Sequence, residues 1–327
     1  MKKKFVSVLL ALTMSTTLSA GLTSTVFAEE AVSTASECSY DGGSGTQEDP
    51  YQISSTDSFL TFAANVNDGS NAGYADTYFL LTNDLDLTGI DWEPIGNMND
   101  MENHSTLFLG SFDGGDHTIS NLKYESDKYN CGAGLFGVNC GEVKNLTVEN
   151  AEVTVTDGTS LAIGGVVGYN MGSVDHGTLK GNSVITGNNC TGGIVGGNNN
   201  SVTNCSAENV TVIVIGDNEF EENHIVQADV AECGGLVIGG GFGGTIDNCS
   251  ASGTVKAEGN EPVGLGGIGG CCYSTVNGSC YRTVGNFKYG FFSIIVKSGA
   301  NKTSYMGCSI RFYGNSYLAV INYGRII

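Results

Sequence analysis

The segments Gly134-Leu135-Phe136-Gly137, Gly165-Val166-Val167-Gly168 and Gly193-Ile194-Val195-Gly196 repeat one pattern, in which two glycines enclose two apolar residues. Looser copies occur at 235–239 and 267–269, and successive copies begin 31, 28, 42 and 32 residues apart. A fixed period in this range is typical of architectures in which one small structural unit stacks on the next. The repeat therefore decides the fold, and the rest of the chain is interpreted from it.

Each unit contains two further short segments. One reads apolar residue, any residue, Asn or Asp, then Leu or Cys, as in Val143-Lys144-Asn145-Leu146, and a deviating copy reads Val174-Asp175-His176-Gly177. The other is rich in β-branched residues and lies at 153–155, 184–186, 210–215 and 254–255. Strands this short are unstable alone, but strands stacked about 4.8 Å apart pair with the coils above and below.

Three short β segments per unit predict an all-β fold, a right-handed parallel β-helix (solenoid). Apolar residues would form inward ladders, while Gly and Asn would take the positive-φ turn positions. With 49 glycines in the chain, helix is disfavoured, because each interior Gly costs about 1 kcal/mol in a helix. An antiparallel sandwich or barrel built from the same strands is the alternative, and the regular period favours the solenoid.

A short helix is predicted before the repeats. Thr56 resembles an N-cap, and Phe59, Leu60, Ala63 and Val66 follow at helical spacing until the chain reaches Asp68-Gly69. We expect this helix to cover the open edge of the first coil. Segments 78–87, 92–96 and 108–122 are interpreted as strands of the first, irregular coils.

The chain has eleven cysteines. Cys131 and Cys190 lie three residues before the first Gly of their units, Cys233 lies two before, and Cys205 and Cys249 share the slot after Asn. If equivalent slots stack, these thiols serve as small apolar ladder residues. Disulfides along the ladder are the less favoured alternative.

The N-terminus has the pattern of a secretory signal peptide. Lys2, Lys3 and Lys4 precede the apolar segment 5–12, and the small residues Val26 and Ala28 predict cleavage before Glu29. Eight apolar-leaning residues are too few to cross a bilayer, which takes about 20. We expect a secreted, extracellular protein, with cell-surface association as an option, and no transmembrane segment after cleavage.

Charge is distributed unevenly. All 34 acidic residues lie between Glu29 and Glu261, where five Lys and no Arg occur, a net charge of −29. This surface repels nucleic acid, anionic membranes and acidic polysaccharides. From Pro262 onward there is no acidic residue, and the sequence becomes basic and aromatic.

The predicted organisation is a signal peptide at 1–28, a capping segment with irregular coils at 29–130, repeats at 131–275 and an atypical tail at 276–327. The tail is either a cap of hydrophobic strands or a segment translated out of frame, and the abrupt loss of acidic residues favours the second.

The chain resembles the GLUG-motif proteins of bacteria. The resemblance is carried by Gly134-Leu135-Phe136-Gly137 and by a lead-in with the following segments: Asp49-Pro50-Tyr51, Asn83-Asp84-Leu85-Asp86-Leu87, Trp92-Glu93-Pro94-Ile95-Gly96, Phe112-Asp113-Gly114 and Ile119-Ser120-Asn121-Leu122. It covers about residues 43 to 275. It implies a secreted or surface β-helix, found in some members before a metallopeptidase domain that cleaves IgA and in others within adhesin-like proteins. No functional residue carries over from the family.

The sequence contains no complete catalytic motif. A zinc peptidase needs His-Glu-x-x-His, which none of His104, His117, His176 and His224 begins. A lyase for acidic sugars needs cationic side chains that the repeats lack. A glycosidase needs two carboxyls about 5–10 Å apart, which Asp84, Asp86 and Asp113 or Asp116 could supply. The same four Asp are candidate Ca²⁺ ligands, although no EF-hand or nonapeptide repeat is present.

The sequence therefore predicts a non-catalytic structural or adhesive module without catalytic residues or a cofactor. Its expected partner is a glycan or protein of a host or neighbouring cell. Two alternatives are open: a glycosidase-like β-helix enzyme that uses Asp84, Asp86 and Asp113, and the non-catalytic leader of a truncated surface metallopeptidase.

Overall fold

The computed structural model describes residues 40–99, 105–128, 130–157, 160–216, 233–259, 264–272, 275–277 and 280–283. The predicted signal peptide, the segment 217–232 and most of the segment 276–327 lie outside the described residues.

Helix α1 spans Thr56–Asn67. Its N-cap is Ser55 rather than the predicted Thr56, because Ser55 and Ser58 form a capping box in which each side chain accepts the other residue's backbone N–H at 3.2 Å. The helix ends before Asp68, as predicted. A 3₁₀ turn follows at Ala72–Tyr74.

Six short strands form the irregular coils around the helix. They are β1 Tyr51–Ile53, β2 Tyr78–Leu81, β3 Leu85–Asp86, β4 Ser111–Asp113, β5 Thr118–Ser120 and β6 Lys123–Ser126. The predicted strand at 92–96 contributes only a bridge between Ile95 and Phe136.

Five coils with four strands each follow. Coil 1 has β7 Gly132–Ala133, β8 Phe136–Asn139, β9 Glu142–Glu149 and β10 Glu152–Val155. Coil 2 has β11 Ala162–Ile163, β12 Val167–Asn170, β13 Ser173–Lys180 and β14 Val184–Gly187. Coil 3 has β15 Cys190–Gly192, β16 Val195–Asn198, β17 Ser201–Thr203 and β18 Ser206–Gly216. Coil 4 has β19 Cys233–Gly235, β20 Ile238–Gly241, β21 Thr245–Asp247 and β22 Ser250–Gly259. Coil 5 has β23 Gly264–Gly266, β24 Gly269–Cys272, β25 Thr275–Asn277 and β26 Cys280–Thr283, and so runs past the predicted boundary at 275.

The strands stack into one 16-stranded and two five-stranded sheets, and each named strand pair within the described residues is parallel. The molecule is a parallel β-solenoid of about six turns, as predicted, and not an antiparallel sandwich or barrel. The handedness of the coil stays a prediction.

Each coil has four strands, whereas three segments were predicted. The difference lies at the Gly-apolar-apolar-Gly motif. The motif contains a tight bend between two strands, as between β11 and β12. A Cβ atom at Gly168 would collide with the backbone nitrogen of Ala133, so only glycine lets the two sheets approach there.

The core consists of in-register columns capped by aromatic rings. Phe112, Val143, Val174, Val202 and Ile246 are fully buried and stack in successive coils. At the N-terminal end, the α1 side chain Phe62 packs against the rings of Phe79 at 4.5 Å and Phe112 at 5.5 Å between centroids. The helix thus covers the first coil as predicted, and Phe62, absent from the predicted face, is at its centre.

One corner of the solenoid is turned by residues with positive φ. Asn145, His176, Asn204 and Asn248 have φ of 51°, 51°, 53° and 51° and occupy equivalent positions. The predicted role of Asn in these turns is confirmed, and His176 adopts the same conformation despite its different side chain.

A ladder of buried amides runs beside the apolar core. Asn139, Asn170 and Asn198 are 0 % exposed. The Asn139 Nδ2 donates to Asn170 Oδ1 at 2.8 Å, and the Asn170 Nδ2 donates to Asn198 Oδ1 at 2.8 Å. Each amide also donates to a nearby carbonyl, such as Gly172 O for Asn170. Buried polar groups thereby find partners in the adjacent coils.

Replacing Asn170 by Ala is expected to lower the free energy of unfolding by about 2–4 kcal/mol, because two buried neighbours each lose an amide partner at roughly 1–3 kcal/mol. Urea unfolding followed by circular dichroism measures the change. Asn199→Ala, at an exposed neighbouring position, is the matched control and should change the free energy by less than about 1 kcal/mol. Equal effects of the two substitutions would contradict the ladder's contribution.

Candidate functional site

The outer surface of the large sheet carries polar side chains in every coil from β4 to β21. They flank the buried column and alternate with it, since successive residues of a strand point to opposite faces. One column contains Ser111, Glu142, Ser173, Ser201 and Thr245, and the other contains Asp113, Lys144, Asp175, Thr203 and Asp247. These ten residues, with the corner residues Asn145, His176, Asn204 and Asn248, are called the polar face. Its two columns are half-buried or exposed throughout.

Hydrogen bonds connect the polar face from coil to coil. Ser111 Oγ donates to Glu142 Oε2 at 2.7 Å, and Lys144 Nζ lies 2.6 Å from the same oxygen. At the corner, the Asn145 amide donates to Asp113 Oδ1 at 3.0 Å, and the Asn248 amide donates to Asn204 Oδ1 at 2.7 Å. These contacts hold the side chains of neighbouring coils in place.

Asp175 is the best-connected carboxylate of the polar face. Its Oδ1 accepts from Thr203 Oγ1 at 2.5 Å and from Asn204 Nδ2 at 2.8 Å, while Oδ2 lies 2.8 Å from His176 Nδ1. Burial acts to raise the pKa of Asp175, but the hydrogen bonds from Thr203, Asn204 and His176 outweigh it and hold the pKa below the ordinary value. His176 is 58 % exposed and faces solvent beside it.

The predicted candidates Asp84 and Asp86 lie on the same side of β3, on either side of the buried Leu85. Asp84 Oδ1 accepts from the Thr118 backbone at 2.8 Å and lies 3.1 Å from His117 Nδ1. Asp86 Oδ1 accepts from Thr88 Oγ1 at 2.6 Å and from Asn121 Nδ2 at 2.8 Å. The backbone bond from Thr118 lowers the pKa of Asp84, and the hydroxyl of Thr88 lowers the pKa of Asp86.

The other two candidates are Asp113, the last residue of β4, and Asp116, in the turn that follows. Asp113 Oδ1 accepts from the Gly115 backbone at 2.9 Å and from the Asn145 amide. Asp116 is exposed and has φ of 61°. The pKa values of Asp84 and Asp86 are lowered, whereas a glycosidase acid needs a raised pKa. Among the described residues, no three His, Cys, Asp or Glu side chains are grouped to hold a metal ion. Whether any of the four Asp binds Ca²⁺ or acts on sugars stays a prediction.

None of six cysteines is covalently bonded to another in the structure, and all but Cys140 are buried: Cys131, Cys140, Cys190, Cys205, Cys233 and Cys249. The distance of Cys131 to its glycine predicted that it shares the slot of Cys190. This prediction is wrong, because Gly132, Ala162 and Cys190 are the residues in register. Cys131 Sγ instead contacts Met98 Sδ at 3.1 Å. Burial raises the pKa of Cys140 to about 11, which disfavours the thiolate that a nucleophile requires.

Sequence reasoning missed two polar features. The buried ladder has a signal in the sequence, because three equivalent segments each end in Asn: Gly134–Asn139, Gly165–Asn170 and Gly193–Asn198. This signal is weak, because an Asn beside glycines resembles an ordinary turn residue. His176 was noted only as a deviation, although it occupies the corner position and contacts Asp175.

Residues 187–213, which lie almost wholly within coil 3, match the family model for the GLUG motif. Halomucin of Haloquadratum walsbyi is 32 % identical over 165 residues, which is 47 % of this chain but 2 % of halomucin. A protein of Evansella cellulosilytica named "Putative Gly-rich membrane protein" is 32 % identical over 143 residues, 41 % of this chain and 15 % of that protein.

The fold also matches a solved structure, titled as a "putative immunoglobulin A1 protease" from Bacteroides ovatus. The TM-score is 0.54 with 22 % identity, covering 82 % of this chain and 86 % of the other. At this identity the likeness concerns the fold alone. Within the described residues, no helix is long and apolar enough to cross a membrane. The chain is therefore a β-solenoid of stacked parallel coils, and its third coil matches the GLUG motif.

Proposed function

We propose that this protein is a secreted or cell-surface β-solenoid that binds a neutral glycan through its polar face and catalyses no reaction. The observation that carries the proposal is the polar face itself, which repeats outward hydroxyl, carboxylate and amide groups at the spacing of the coils.

The chemistry of the polar face suits sugar hydroxyls. Ser173, Ser201 and Thr245 offer hydroxyls in three successive coils, and Asp175 and Asp247 offer acceptors beside them. Neighbouring coils are about 4.8 Å apart, so a polymer with regularly spaced hydroxyls can contact several of them at once. The net charge of −29 over 29–261 disfavours anionic polymers, which leaves neutral glycans as the matching class.

The names of the relatives support a surface location. Halomucin and the Evansella protein named as a membrane protein share about two fifths to one half of this chain. The predicted signal peptide has the same implication.

The carboxylates support binding rather than catalysis. Asp84 and Asp86 have lowered pKa values because turn groups donate to them, so neither is suited to be the protonated acid of a glycosidase. His117 and His176, the two histidines of the described residues, each lie against an Asp and belong to different turns of the solenoid. Such an arrangement differs from the paired histidines of a zinc peptidase.

Binding of the full mature chain to an array of neutral and acidic glycans tests the proposal. The variant Ser173→Lys/Ser201→Lys/Thr245→Lys places three long side chains on the polar face and should weaken binding at least about tenfold, or about 1.4 kcal/mol. Thr154→Lys/Thr186→Lys/Thr254→Lys places the same side chains on the outer surface of β10, β14 and β22 and should leave the dissociation constant unchanged.

Three outcomes would count against the proposal. Equal weakening by both triple variants would remove the polar face as the binding surface. Binding only to acidic glycans would refute the ligand class. Release of new reducing ends from any bound glycan, lost in Asp84→Asn/Asp86→Asn/Asp113→Asn, would favour the glycosidase alternative.

The ionisation of Asp175 provides a test of how the polar face is organised. Because the folded-state pKa of Asp175 is lowered, its contribution to stability is present above the unfolded value of about 3.9 and is lost as pH falls through the folded value. Asp175→Asn should therefore be less stable than the native chain near pH 6, and the difference should shrink below about pH 4. Asp116→Asn, at an exposed turn, is the control. A stability difference independent of pH would contradict the ionised state.

A further inference from the structure

Four buried cysteines lie on either side of the contact between coils 3 and 4. Cys190 of β15 pairs in register with Cys233 of β19. Ser206 pairs with Ser250 and Thr203 with Asp247, so Cys205 lies opposite Cys249 in the same two coils. All four side chains are about 1 % exposed.

The first pair has the geometry of a reduced disulfide. The Sγ atoms of Cys190 and Cys233 are 3.6 Å apart. The two residues are the first of adjacent parallel strands, whose separation of about 4.8 Å lies within the 4.4–6.8 Å that disulfides span between Cα atoms. A bond between them therefore needs rotation of the side chains but little movement of the backbone.

The second pair is arranged in the same way at another corner. Cys205 and Cys249 occupy equivalent positions of adjacent coils, and each is the largest influence on the other's pKa, which places the two thiols close together. Each also lies near the carbonyl two residues before it, Thr203 O at 3.1 Å and Asp247 O at 3.3 Å. The two side chains thus point in the same direction from equivalent positions.

Stacked cysteines are confined to this contact among the side chains that the structure describes. In coils 1 and 2 the column of Cys190 contains Gly132 and Ala162, and the column of Cys205 contains Leu146 and Gly177. The same contact follows the longest connection between coils 1 to 5, since β18 ends at Gly216 and β19 begins at Cys233. A longer connection costs more entropy to close, and a coil touches only its neighbours. This contact is therefore where a solenoid gains most from a covalent link.

We propose that Cys190–Cys233 and Cys205–Cys249 are oxidised to two disulfides that lock coil 4 onto coil 3. The oxidant is a low-molecular-weight disulfide of the exported environment. The thiolate of one cysteine attacks it and releases one reduced thiol; the second cysteine then attacks the mixed disulfide and releases another. Each pair thus loses two protons and two electrons, which the external disulfide takes up. The inference does not depend on glycan binding.

Burial determines when this exchange takes place. The four thiols are out of solvent in the docked coils, so the small disulfide reaches them while coil 4 folds onto coil 3 or when the contact opens. Once formed, the bonds are shielded from reductants by the same packing.

Disulfide mapping of the full mature chain tests the proposal. The protein is refolded with oxidised and reduced glutathione, remaining thiols are alkylated, and the chain is cut before Asp residues. Cleavage before Asp175, Asp217, Asp229 and Asp247 separates Cys233 from Cys249 and leaves Cys190 and Cys205 in peptide 175–216. The expected products join 175–216 to both 229–246 and the peptide that begins at Asp247, with fragment spectra assigning the cysteines.

Paired variants assign each bond. Cys205→Ala/Cys249→Ala should retain only the link from 175–216 to 229–246, and Cys190→Ala/Cys233→Ala only the link through Cys249. Alanine is suited to the first slot because Ala162 occupies that column in coil 2. Reduction should lower the melting temperature of the native chain by several degrees and that of each paired variant by less. It should not change the melting temperature of the fourfold variant, in which Cys190, Cys205, Cys233 and Cys249 are all replaced by Ala.

Cys131→Ala, which removes a thiol that contacts Met98, is the matched control and should keep both links and the full reductant effect. Complete alkylation of the four cysteines in the native chain after glutathione treatment would overturn the proposal, as would links between other cysteines. Because mapping is done on the native chain, the result does not depend on whether the fourfold variant folds. Glycan binding would remain a separate measurement on the same protein.

Discussion

Backbone hydrogen bonding between coils is the interaction on which this structure depends. Strand β11, for example, contains only two residues and pairs with β7 on one side and β15 on the other. Even the bend of the glycine motif follows this rule, since Val166 N donates to Ile194 O at 3.0 Å in the next coil. A slip of one residue would turn each inward side chain outward, so the register has to be specified many times along the chain.

Polar side chains help to specify that register. The amides of Asn139, Asn170 and Asn198 bond to one another only when the coils are aligned, because a slip would leave buried donors and acceptors unpaired. Valine columns tolerate small displacements better than amide columns do, since dispersion contacts are not directional. In coil 4 the amide position is taken by Gly241. The ladder therefore ends near the contact that follows the long connection at 217–232, where the stacked cysteines begin.

Much of the fold could be predicted because the repeat exposes the same constraints many times. The period near 30, the β-branched segments and Asn at positive φ each occur in several copies, so one deviation such as His176 does not hide the pattern. Single events were harder to predict. Ser55 and Thr56 are equally plausible caps until the reciprocal bond to Ser58 is known, and Cys131 has the same distance to its glycine as Cys190 but a different partner. Spacing alone misplaces Cys131 because coil 1 is one residue shorter than coil 2 between its first and second strands, so that Gly132 rather than Cys131 pairs with Ala162.

The candidate site was less predictable than the fold, for a physical reason. Inward positions are constrained by packing and repeat, whereas outward positions are free to vary as long as they remain compatible with a strand. Three of the four Asp singled out in the sequence, Asp84, Asp86 and Asp113, proved to accept hydrogen bonds from neighbouring backbone and side-chain groups. The polar face became visible only when register placed Ser173, Ser201 and Thr245 in one column. This difference between inward and outward positions explains why a fold match at 22 % identity transfers no activity. What two solenoids share is the inward pattern, whereas recognition depends on outward columns that are free to differ. The glycan binding proposed for this chain therefore rests on the side chains of its own polar face and not on the fold match.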